Sequence, residues 1–303
     1  MELTNARTLW TVFLFAAYFL MFTGAIFGLA LWKVKRRRYR PPVEFRFIRG
    51  PGETLRRRMA NFDEDFFLRL ILAALAPLLA AIVVSYGVLK FRPQTVTHLW
   101  LGTGLVFMAF VGTLIPVIRW GIRSLIRYHN DRLGYLGERF VGDCLEPLKR
   151  KGWYIFHDVP GLAGERKFNL DHVAVGPGGV WAIETKTRRK GRARKGFDPQ
   201  RVFFDGKNLV WPWGEDPYGP EQAKRNSEWL QEWLLKRTGI ELEVFPVLAL
   251  PGWYVVKPAG AEVRVVRPEW LLEDLPNART VLTSDQIDLI VRQLDLHCRD
   301  VKD

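Results

Sequence analysis

Residues 169–187 read NLDHVAVGPGGVWAIETKT, and this stretch decides the fold of the C-terminal part of the chain. Two runs rich in apolar and β-branched residues, 169–176 and 180–186, flank the turn sequence Pro177-Gly178-Gly179. Such runs joined by Pro and Gly are typical of two antiparallel strands with a tight connection. The stretch therefore predicts a β-hairpin.

The register of this hairpin determines where its polar side chains meet. Alternation along the second strand places Glu184 and Lys186 on the same face. A two-residue turn at 177–178 and a four-residue loop at 176–179 both pair Asp171 with Glu184, whereas a three-residue loop breaks the pairing. Directly opposed side chains have Cβ atoms about 4.5 to 5.5 Å apart, and two carboxylates at that distance repel unless a cation lies between them.

This acid pair suits a magnesium-type ion, because hard divalent cations prefer oxygen ligands and use one or two carboxylates. Asp171, Glu184 and the backbone carbonyl of Thr185 form the predicted metal-binding set. Lys186 beside them would orient an attacking water and offset charge during phosphodiester hydrolysis. Spacing alone leaves a second interpretation equally open, in which Glu184 and Lys186 form a surface ion pair and Asp171 only begins a strand.

Upstream of the hairpin, residues 133–148 carry apolar side chains at helical spacing. They predict an amphipathic helix with Glu138 at the edge of its apolar stripe. A strand-like run follows at 154–159, and then a loop with Gly161 and Gly164. The histidines show no ligand spacing, and only His172 is a candidate neighbour of the site, because it adjoins Asp171.

Downstream of the hairpin, residues 186–201 contain eight basic residues and a single acid, Asp198. A flexible basic loop of this kind predicts contact with a phosphate backbone. A solvated or lipid-facing loop is the alternative interpretation. The predicted nucleic-acid-binding residues are Arg188, Arg189, Lys190, Arg192, Arg194 and Lys195.

A helical face follows, on which Gln222, Asn226, Trp229 and Trp233 recur at spacings of three and four residues. We expect the two tryptophans to dock this helix on the sheet and to aim Gln222 toward the pocket. Further elements are predicted as strands at 242–250 and 262–266 and as a closing helix at 283–298 that begins at Ser284.

Three of these motifs, LGYLGERF, the hairpin stretch and PEQAKRN, together resemble the nuclease-related domain (NERD) family over residues 134–256. That family is assigned to the PD-(D/E)xK nuclease superfamily. The resemblance implies an α/β fold with a mixed central sheet flanked by helices, as in restriction endonucleases. It also implies a Mg²⁺- or Mn²⁺-dependent nuclease that acts on nucleic acid, with DNA favoured over RNA.

The resemblance assigns a role to five residues of this chain. Glu138 in GER corresponds to the acid of the first helix, and Asp171 in LDH to the first metal carboxylate. Glu184 and Lys186 correspond to the ExK pair. Gln222 corresponds to the later glutamine, which we expect to support the catalytic set.

The N-terminal part carries three uncharged apolar runs, at 8–32, 70–89 and 99–118. Each reaches the roughly 20 residues that a helix needs to cross a bilayer. We therefore expect three transmembrane helices before the α/β domain. No acidic or basic residue lies inside these runs, which argues against a transporter or a channel.

The loops between the runs predict the orientation. Residues 33–68 hold eleven Lys and Arg against five acids, whereas 90–98 hold two basic residues. Because positive loops stay in the cytoplasm, the N-terminus is expected outside and everything after Arg119 inside. The predicted organisation is 1–32 (N-terminal segment and first span), 33–69 (basic cytoplasmic loop), 70–118 (transmembrane hairpin), 119–132 (basic juxtamembrane helix) and 133–303 (nuclease-like domain).

The formal net charge of +13 indicates an acidic partner, and nucleic acid and anionic lipid both qualify. Only two cysteines occur, Cys144 and Cys298, without zinc-ligand spacing, which fits a reducing compartment. The prediction is a membrane-anchored nuclease. One alternative is a non-cleaving membrane-bound nucleic-acid-binding or scaffold protein with the same fold. Another is a protein whose basic patches serve only the lipid bilayer and whose soluble domain binds a protein partner.

Overall fold

The computed structural model describes residues 48–90, 95–257 and 260–299, together with Gly24 and Gly28. The chain forms two compact units. One comprises Met1–Glu44 and Ala60–Arg127, and the other comprises Phe45–Met59 and Tyr128–Asp303.

Two long helices, α1 (Glu53–Lys90) and α2 (Val96–Leu145), run through the first unit. Their most apolar segments have mean hydropathies of 2.3 and 2.1, and only 11% and 6% of these segments is buried. Both helices are long and apolar enough to cross a membrane, which is weak evidence for membrane association. The predicted spans at 70–89 and 99–118 coincide with them. The predicted span at 8–32 lies, except for Gly24 and Gly28, outside the described residues.

The stretch predicted as a basic loop is helical from Glu53 onward, and the predicted juxtamembrane helix is continuous with the apolar part of α2. Glu53 explains the early start of α1, because a negative charge in the first turn interacts favourably with the positive end of the helix dipole. Its carboxylate also binds Arg56 at 2.7 Å and Arg57 at 2.8 Å, one turn further along. These ion pairs, first that with Arg56, lower the pKa of Glu53 to about 2. Local pairing thus makes the basic cluster compatible with a helix.

The second unit contains the strands. Within the described residues they are β1 (Tyr154–Ala163), β2 (Arg166–Gly176), β3 (Gly179–Thr185), β4 (Arg201–Phe204), β5 (Leu209–Trp211), β6 (Gly214–Asp216), β7 (Val244–Ala249), β8 (Tyr254–Val256) and β9 (Arg264–Val266). A five-stranded mixed sheet has the order β1-β2-β3-β7-β9, with β1 to β3 antiparallel and β3, β7 and β9 parallel. The other helices are α3 (Tyr218–Thr238), α4 (Leu271–Asp274) and α5 (Ser284–Cys298).

Helices cover both faces of the five-stranded sheet. On one face, α3 and α5 bury Leu230, Leu234, Ile287, Ile290 and Leu294 against Phe156, Val173, Val175, Val180 and Ala182. On the other face, the end of α2, a 3₁₀ helix at Glu146–Lys151 and α4 bury Val141, Leu145, Leu148 and Leu271 against Ile155, Ala174, Trp181 and Ile183. Every residue of β3 is buried, as in sheets covered on both sides. This mixed α/β arrangement fits a nuclease-like fold.

A second, four-stranded sheet has the order β6-β5-β4-β8. The sequence did not predict these strands, because they are only three or four residues long and lie among Gly, Pro and charged residues. They are stabilised instead by a separate core, in which Trp211 and Trp253 meet edge to face with ring centroids 5.0 Å apart. This small sheet follows the basic loop in the chain.

The hairpin and the closing helix agree with their predictions. β2 and β3 pair in register from Gly176–Gly179 to His172–Ile183, so the turn consists of Pro177 and Gly178 alone. Gly179 has φ +107°, a conformation that L side chains rarely adopt. Helix α5 begins at Ser284 behind a capping box, in which Thr283 and Gln286 exchange hydrogen bonds.

Candidate active site

The hairpin register brings the two predicted metal carboxylates together. Continued by one residue beyond the His172–Ile183 pair, it places Asp171 opposite Glu184. Asp171 Oδ2 accepts a hydrogen bond of 2.7 Å from the backbone N–H of Thr185. Glu184 is buried, with 4% of its surface exposed, and burial followed by repulsion from Asp171 raises its pKa well above the ordinary value. Burial likewise raises the pKa of Asp171 to about 7.

A third acid extends this row across the sheet. β1 and β2 pair His157 with His172 and Val159 with Leu170, which places Asp158 opposite Asp171. Glu138 of α2 lies in the field of all three acids, since burial first, and then Asp171, Asp158 and Glu184, raise its pKa to about 10. The site thus brings together four acidic groups whose ionised forms would repel one another.

Asp158 differs from the other acids because the protein itself compensates its charge. Its carboxylate forms an ion pair of 3.1 Å with Arg49. It also accepts hydrogen bonds from the Thr54 hydroxyl at 2.7 Å and from the Asn169 amide at 3.0 Å. Its φ of +50° is one that Asp tolerates better than most residues. The sequence analysis missed this residue, although an acid inside the apolar run 154–159 was a visible signal.

Helix α3 holds the polar partners of the ExK pair. Lys186 Nζ donates to Gln222 Oε1 at 3.0 Å and lies 4.8 Å from the centre of the Tyr218 ring. Glu184 Oε2 accepts from Asn226 Nδ2 at 2.9 Å, and Glu184 Oε1 lies 3.9 Å from Lys186 Nζ. Gln222 therefore positions Lys186, and Asn226 positions Glu184. Asn226 was not predicted as a site residue, although its spacing of one turn from Gln222 pointed to the same face.

A glycine lets helix α2 carry Glu138 close to the end of β3. A Cβ atom on Gly137 would overlap the Thr187 hydroxyl and lie 2.8 Å from Thr187 Cβ. The two backbones approach this closely only because residue 137 lacks a side chain. The glycine of the GER motif thereby sets the distance between Glu138 and the ExK strand.

The oxygens at the centre suit a hard divalent cation. Asp171 Oδ2 and Glu184 Oε2 are engaged by Thr185 and Asn226, which leaves Asp171 Oδ1 and Glu184 Oε1 for a ligand. No group of three or more His, Cys, Asp or Glu side chains among the described residues is arranged to hold a metal ion. A cation here would therefore take two protein carboxylates and complete its shell with backbone oxygen, water and substrate, which is how Mg²⁺ is commonly bound.

The histidines face away from this centre. His157 Nδ1 and His172 Nδ1 lie 2.8 Å apart in a buried pair, so the two rings share one hydrogen bond. Strand alternation puts His172 on the face opposite to Asp171. The expectation that His172 borders the site is therefore wrong, because its partner on β1, His157, holds it on the other face.

The six predicted nucleic-acid-binding residues lie in the exposed segment after β3. Arg188 pairs with Asp216 at 2.8 Å, and Arg189 donates to the His129 carbonyl at 3.4 Å. Lys190 lies 5.7 Å from the Trp253 ring, and Arg194 lies 4.4 Å from the Phe197 ring. Arg192 and Lys195 are exposed. The segment is thus fixed at several points, and its basic side chains continue directly from Lys186.

Neither the curated proteins nor the solved structures include a significant match to this chain. A family model does match part of it, over residues 133–251, which is less than half of the chain. The matched segment contains Glu138, Asp171, Glu184, Lys186 and Gln222. The family is described as NERD, the nuclease-related domain, and this match supports assigning residues 133–251 to it.

Proposed function

We propose that this protein is a membrane-anchored, metal-dependent nuclease that hydrolyses phosphodiester bonds of DNA, and less readily of RNA. One observation supports this most directly. Within a segment that matches the nuclease-related domain, Asp171 and Glu184 lie opposite each other, and Lys186 shares their surroundings. A nuclease needs this combination of carboxylates and a cation near the scissile phosphate.

Asp171, Glu184 and the carbonyl of Thr185 would hold Mg²⁺ or Mn²⁺. Such an ion, when bound, polarises the scissile phosphate and lowers the pKa of a coordinated water. Lys186 offsets the charge that develops on the phosphate oxygens, and Gln222 keeps its ammonium group in place. Asn226 holds one oxygen of Glu184, which leaves the other oxygen for the cation. Glu138, with its raised pKa, holds a proton at the margin of the site.

The basic segment from Arg188 to Lys195 would hold the phosphate backbone of the substrate. It begins two residues after Lys186, so a strand bound there passes the carboxylates. Contacts of this kind fix position without reading sequence. We therefore expect binding that depends strongly on salt and little on base sequence.

Membrane attachment is part of the proposal and is supported by the two exposed apolar helices. With the N-terminus outside, as the distribution of basic residues predicts, the nuclease-like domain would lie at the cytoplasmic face. Its substrates would then be nucleic acids that reach the inner surface of the membrane.

A non-cleaving membrane-bound nucleic-acid-binding or scaffold protein is the second candidate. The hydrogen bond from Asn226 and the nearby Lys186 give Glu184 partners that do not include a metal. Burial, followed by repulsion from Asp171, raises the pKa of Glu184, which favours its uncharged form when no cation is bound. The site is therefore also compatible with a binding protein.

Cleavage assays on the full chain in detergent distinguish the two candidates. Labelled single- and double-stranded DNA and RNA would be incubated with Mg²⁺, Mn²⁺ or EDTA. We expect metal-dependent cleavage that falls about 10²- to 10³-fold in Glu184→Gln and in Lys186→Met. Glu146→Gln, on the opposite face of the sheet, is the matched control and should cleave normally. Cleavage that survives Glu184→Gln, or binding without cleavage by the wild type, would contradict the nuclease proposal.

A further inference from the structure

A groove leads away from the candidate active site along helix α3. Its first part, a cavity of about 170 Å³, is lined by Gln222 and Asn226, the residues that position Lys186 and Glu184. Its second part, a cavity of about 550 Å³, extends to Trp233 and beyond. Phe168 and Trp229 line both cavities, so the two parts adjoin each other at these side chains.

Aromatic rings form the floor of this groove. Trp229 and Trp233 are nearly parallel, with an interplanar angle of 25° and centroids 6.3 Å apart. Phe168 meets Trp229 edge to face at 5.2 Å. The Trp229 indole N–H donates to the Leu162 carbonyl at 2.8 Å, which fixes the orientation of that ring. Both tryptophans are only half-buried, so part of each ring faces the groove.

Basic side chains form the rim. The two cavities together are lined by seven Lys and Arg residues and by one acid, Glu232, which pairs weakly with Lys236 at 3.6 Å. Of the seven, Arg49 already pairs with Asp158 at 3.1 Å and Arg299 with Asp295 at 2.8 Å. The guanidinium group of Arg237 lies 5.8 Å from the Trp233 ring. Aromatic faces beneath a cationic rim match the two chemical parts of a polynucleotide, the bases and the phosphates.

We propose that this groove, called the α3 groove, binds a single-stranded segment of nucleic acid that extends from the carboxylates. This proposal rests on the proposed function for the direction of the strand, and it narrows the substrate class. In a duplex the base faces are stacked on one another, so only an unpaired strand presents faces to Trp229 and Trp233. A bilayer surface is broad and flat, whereas both rings are half-buried in the lining of a cavity.

The length of the groove sets the size of the bound segment. Gln222 and Arg237 are fifteen residues apart on α3, which corresponds to about 22 Å at 1.5 Å per residue. At about 3.4 Å per stacked nucleotide, this length holds roughly six nucleotides. Affinity should therefore rise with oligonucleotide length up to about six nucleotides and then level off.

The rim is tested by binding measurements on the full chain in detergent with EDTA, so that cleavage plays no part. Lys236→Gln/Arg237→Gln removes two rim charges. Arg150→Gln/Lys151→Gln makes the same change at two exposed positions on the other face of the sheet. We expect the rim variant to bind fluorescent single-stranded DNA about 10-fold more weakly. Its salt slope should fall by about 1.4, at about 0.7 per lost contact, while the control keeps the wild-type values.

The floor is tested by Trp233→Ala, with Trp233→Phe as the variant that preserves an aromatic face and the packing of the helix. Loss of stacking on one base costs about 1 to 3 kcal/mol, or roughly 5- to 150-fold in affinity. We expect Trp233→Ala to show such a loss and Trp233→Phe to recover part of it. An abasic oligonucleotide of equal length should bind the wild type as weakly as it binds Trp233→Ala. Duplex DNA should bind the wild type and Trp233→Ala with equal affinity.

Unchanged affinity and salt slope in the rim variant would overturn the α3 groove proposal. A rim variant that loses binding to phosphatidylserine vesicles but keeps oligonucleotide binding would overturn it in favour of a lipid surface. Separate cleavage assays with Mg²⁺ keep the two proposals apart. If the wild type cleaves and the groove variants bind oligonucleotides normally, only the α3 groove proposal is overturned. If the wild type never cleaves and the groove variants bind more weakly than it does, only the nuclease proposal is overturned.

Discussion

Asp171 and Glu184 are two buried acids that face each other. Burial raises the pKa of each, and in Glu184 repulsion from Asp171 adds to this effect. A bound cation would relieve this repulsion. In its absence, replacing one acid by an amide removes the repulsion and keeps the shape of the side chain.

The first prediction concerns metal binding without reference to catalysis. Mg²⁺ should raise the melting temperature of the wild type, since a ligand at ten times its Kd adds about 1.4 kcal/mol to the free energy of unfolding. Asp171→Asn should melt at a higher temperature than the wild type in EDTA and should show no shift with Mg²⁺. Asp288→Asn, on the exposed side of α5, should keep the wild-type shift. Equal shifts in all three proteins would place the cation elsewhere. Differential scanning fluorimetry measures these changes.

The second prediction concerns the buried pair His157–His172. Burial lowers the pKa of His157 to about 4, whereas an unfolded histidine titrates near 6.5. The unfolded state therefore binds more protons between these values, so the contribution of His157 to stability falls as the pH falls from about 6.5 to about 4. Between pH 7 and pH 5 the loss is about 2 kcal/mol.

The acids of the site, whose pKa values are raised, change stability in the opposite direction. Their contribution to stability rises as the pH falls, because the folded state then binds more protons than the unfolded state. The measurement is therefore the difference in urea unfolding free energy between wild type and His157→Phe at each pH. This difference should shrink by about 2 kcal/mol from pH 7 to pH 5. A constant difference for His157→Phe would mean that the pair is not buried in solution.

At the scale of elements, the approach of α2 to the end of β3 depends on Gly137. The third prediction is that Gly137→Ala destabilises the protein by about 1 to 3 kcal/mol, because the new methyl group overlaps Thr187. Displacement of Glu138 should also reduce cleavage. Thr187→Gly should restore part of both losses, which a double-mutant cycle of unfolding and cleavage would measure.

Gly121→Ala in the same helix is the matched control, since a Cβ there lies 3.9 Å from its nearest neighbour, Leu70. It should be neutral or slightly stabilising, because alanine favours a helix over glycine. If Gly137→Ala changes the free energy of unfolding no more than Gly121→Ala does, α2 and Thr187 do not approach each other this closely in solution.

At the scale of the whole molecule, the compact unit with the active site includes residues well before the predicted boundary at 133. Phe45–Met59 belong to that unit. Within them, Arg49 and Thr54 bind Asp158, and Ile48 forms a β-bridge with Arg299 near the end of the described chain. The boundaries of the five segments proposed from the sequence stay a prediction.

The fourth prediction tests this early segment in the full chain. Arg49→Met leaves the buried carboxylate of Asp158 without its ion pair, and removing one partner of such a pair costs about 3 to 5 kcal/mol. Asp158→Asn in the same protein should recover part of the loss, because a neutral amide needs no counter-charge. Chemical unfolding of the two single variants and the double variant gives the coupling energy. Additive effects would show that Arg49 does not stabilise the unit through Asp158.

The fifth prediction concerns the membrane. The full chain should stay with membranes after alkaline carbonate extraction, as expected for two or three spanning helices. A C-terminal tag should resist protease added to intact cells and be cleaved in inverted vesicles. Protection in inverted vesicles would contradict the proposed orientation.

The sequence alone determined the features that depend on short-range periodicity. Alternation, with a connection of two or four residues, predicted the register that pairs Asp171 with Glu184, and the structure has the two-residue turn. Helical spacing likewise predicted the common face of Gln222 and Asn226, and the uncharged runs predicted the two apolar helices. The resemblance to nuclease-related domains added Glu138, which no spacing rule connects with the hairpin.

Only the tertiary structure decided which distant segments meet. Asp158 faces Asp171 because β1 pairs with β2, and Arg49 reaches Asp158 across more than a hundred residues of chain. The α3 groove is lined by residues of β1, β2 and α3 together. The periodicity of the strands or of the helix alone therefore does not predict it. Contacts of this kind depend on how complete elements pack, and local periodicity carries no information about that packing.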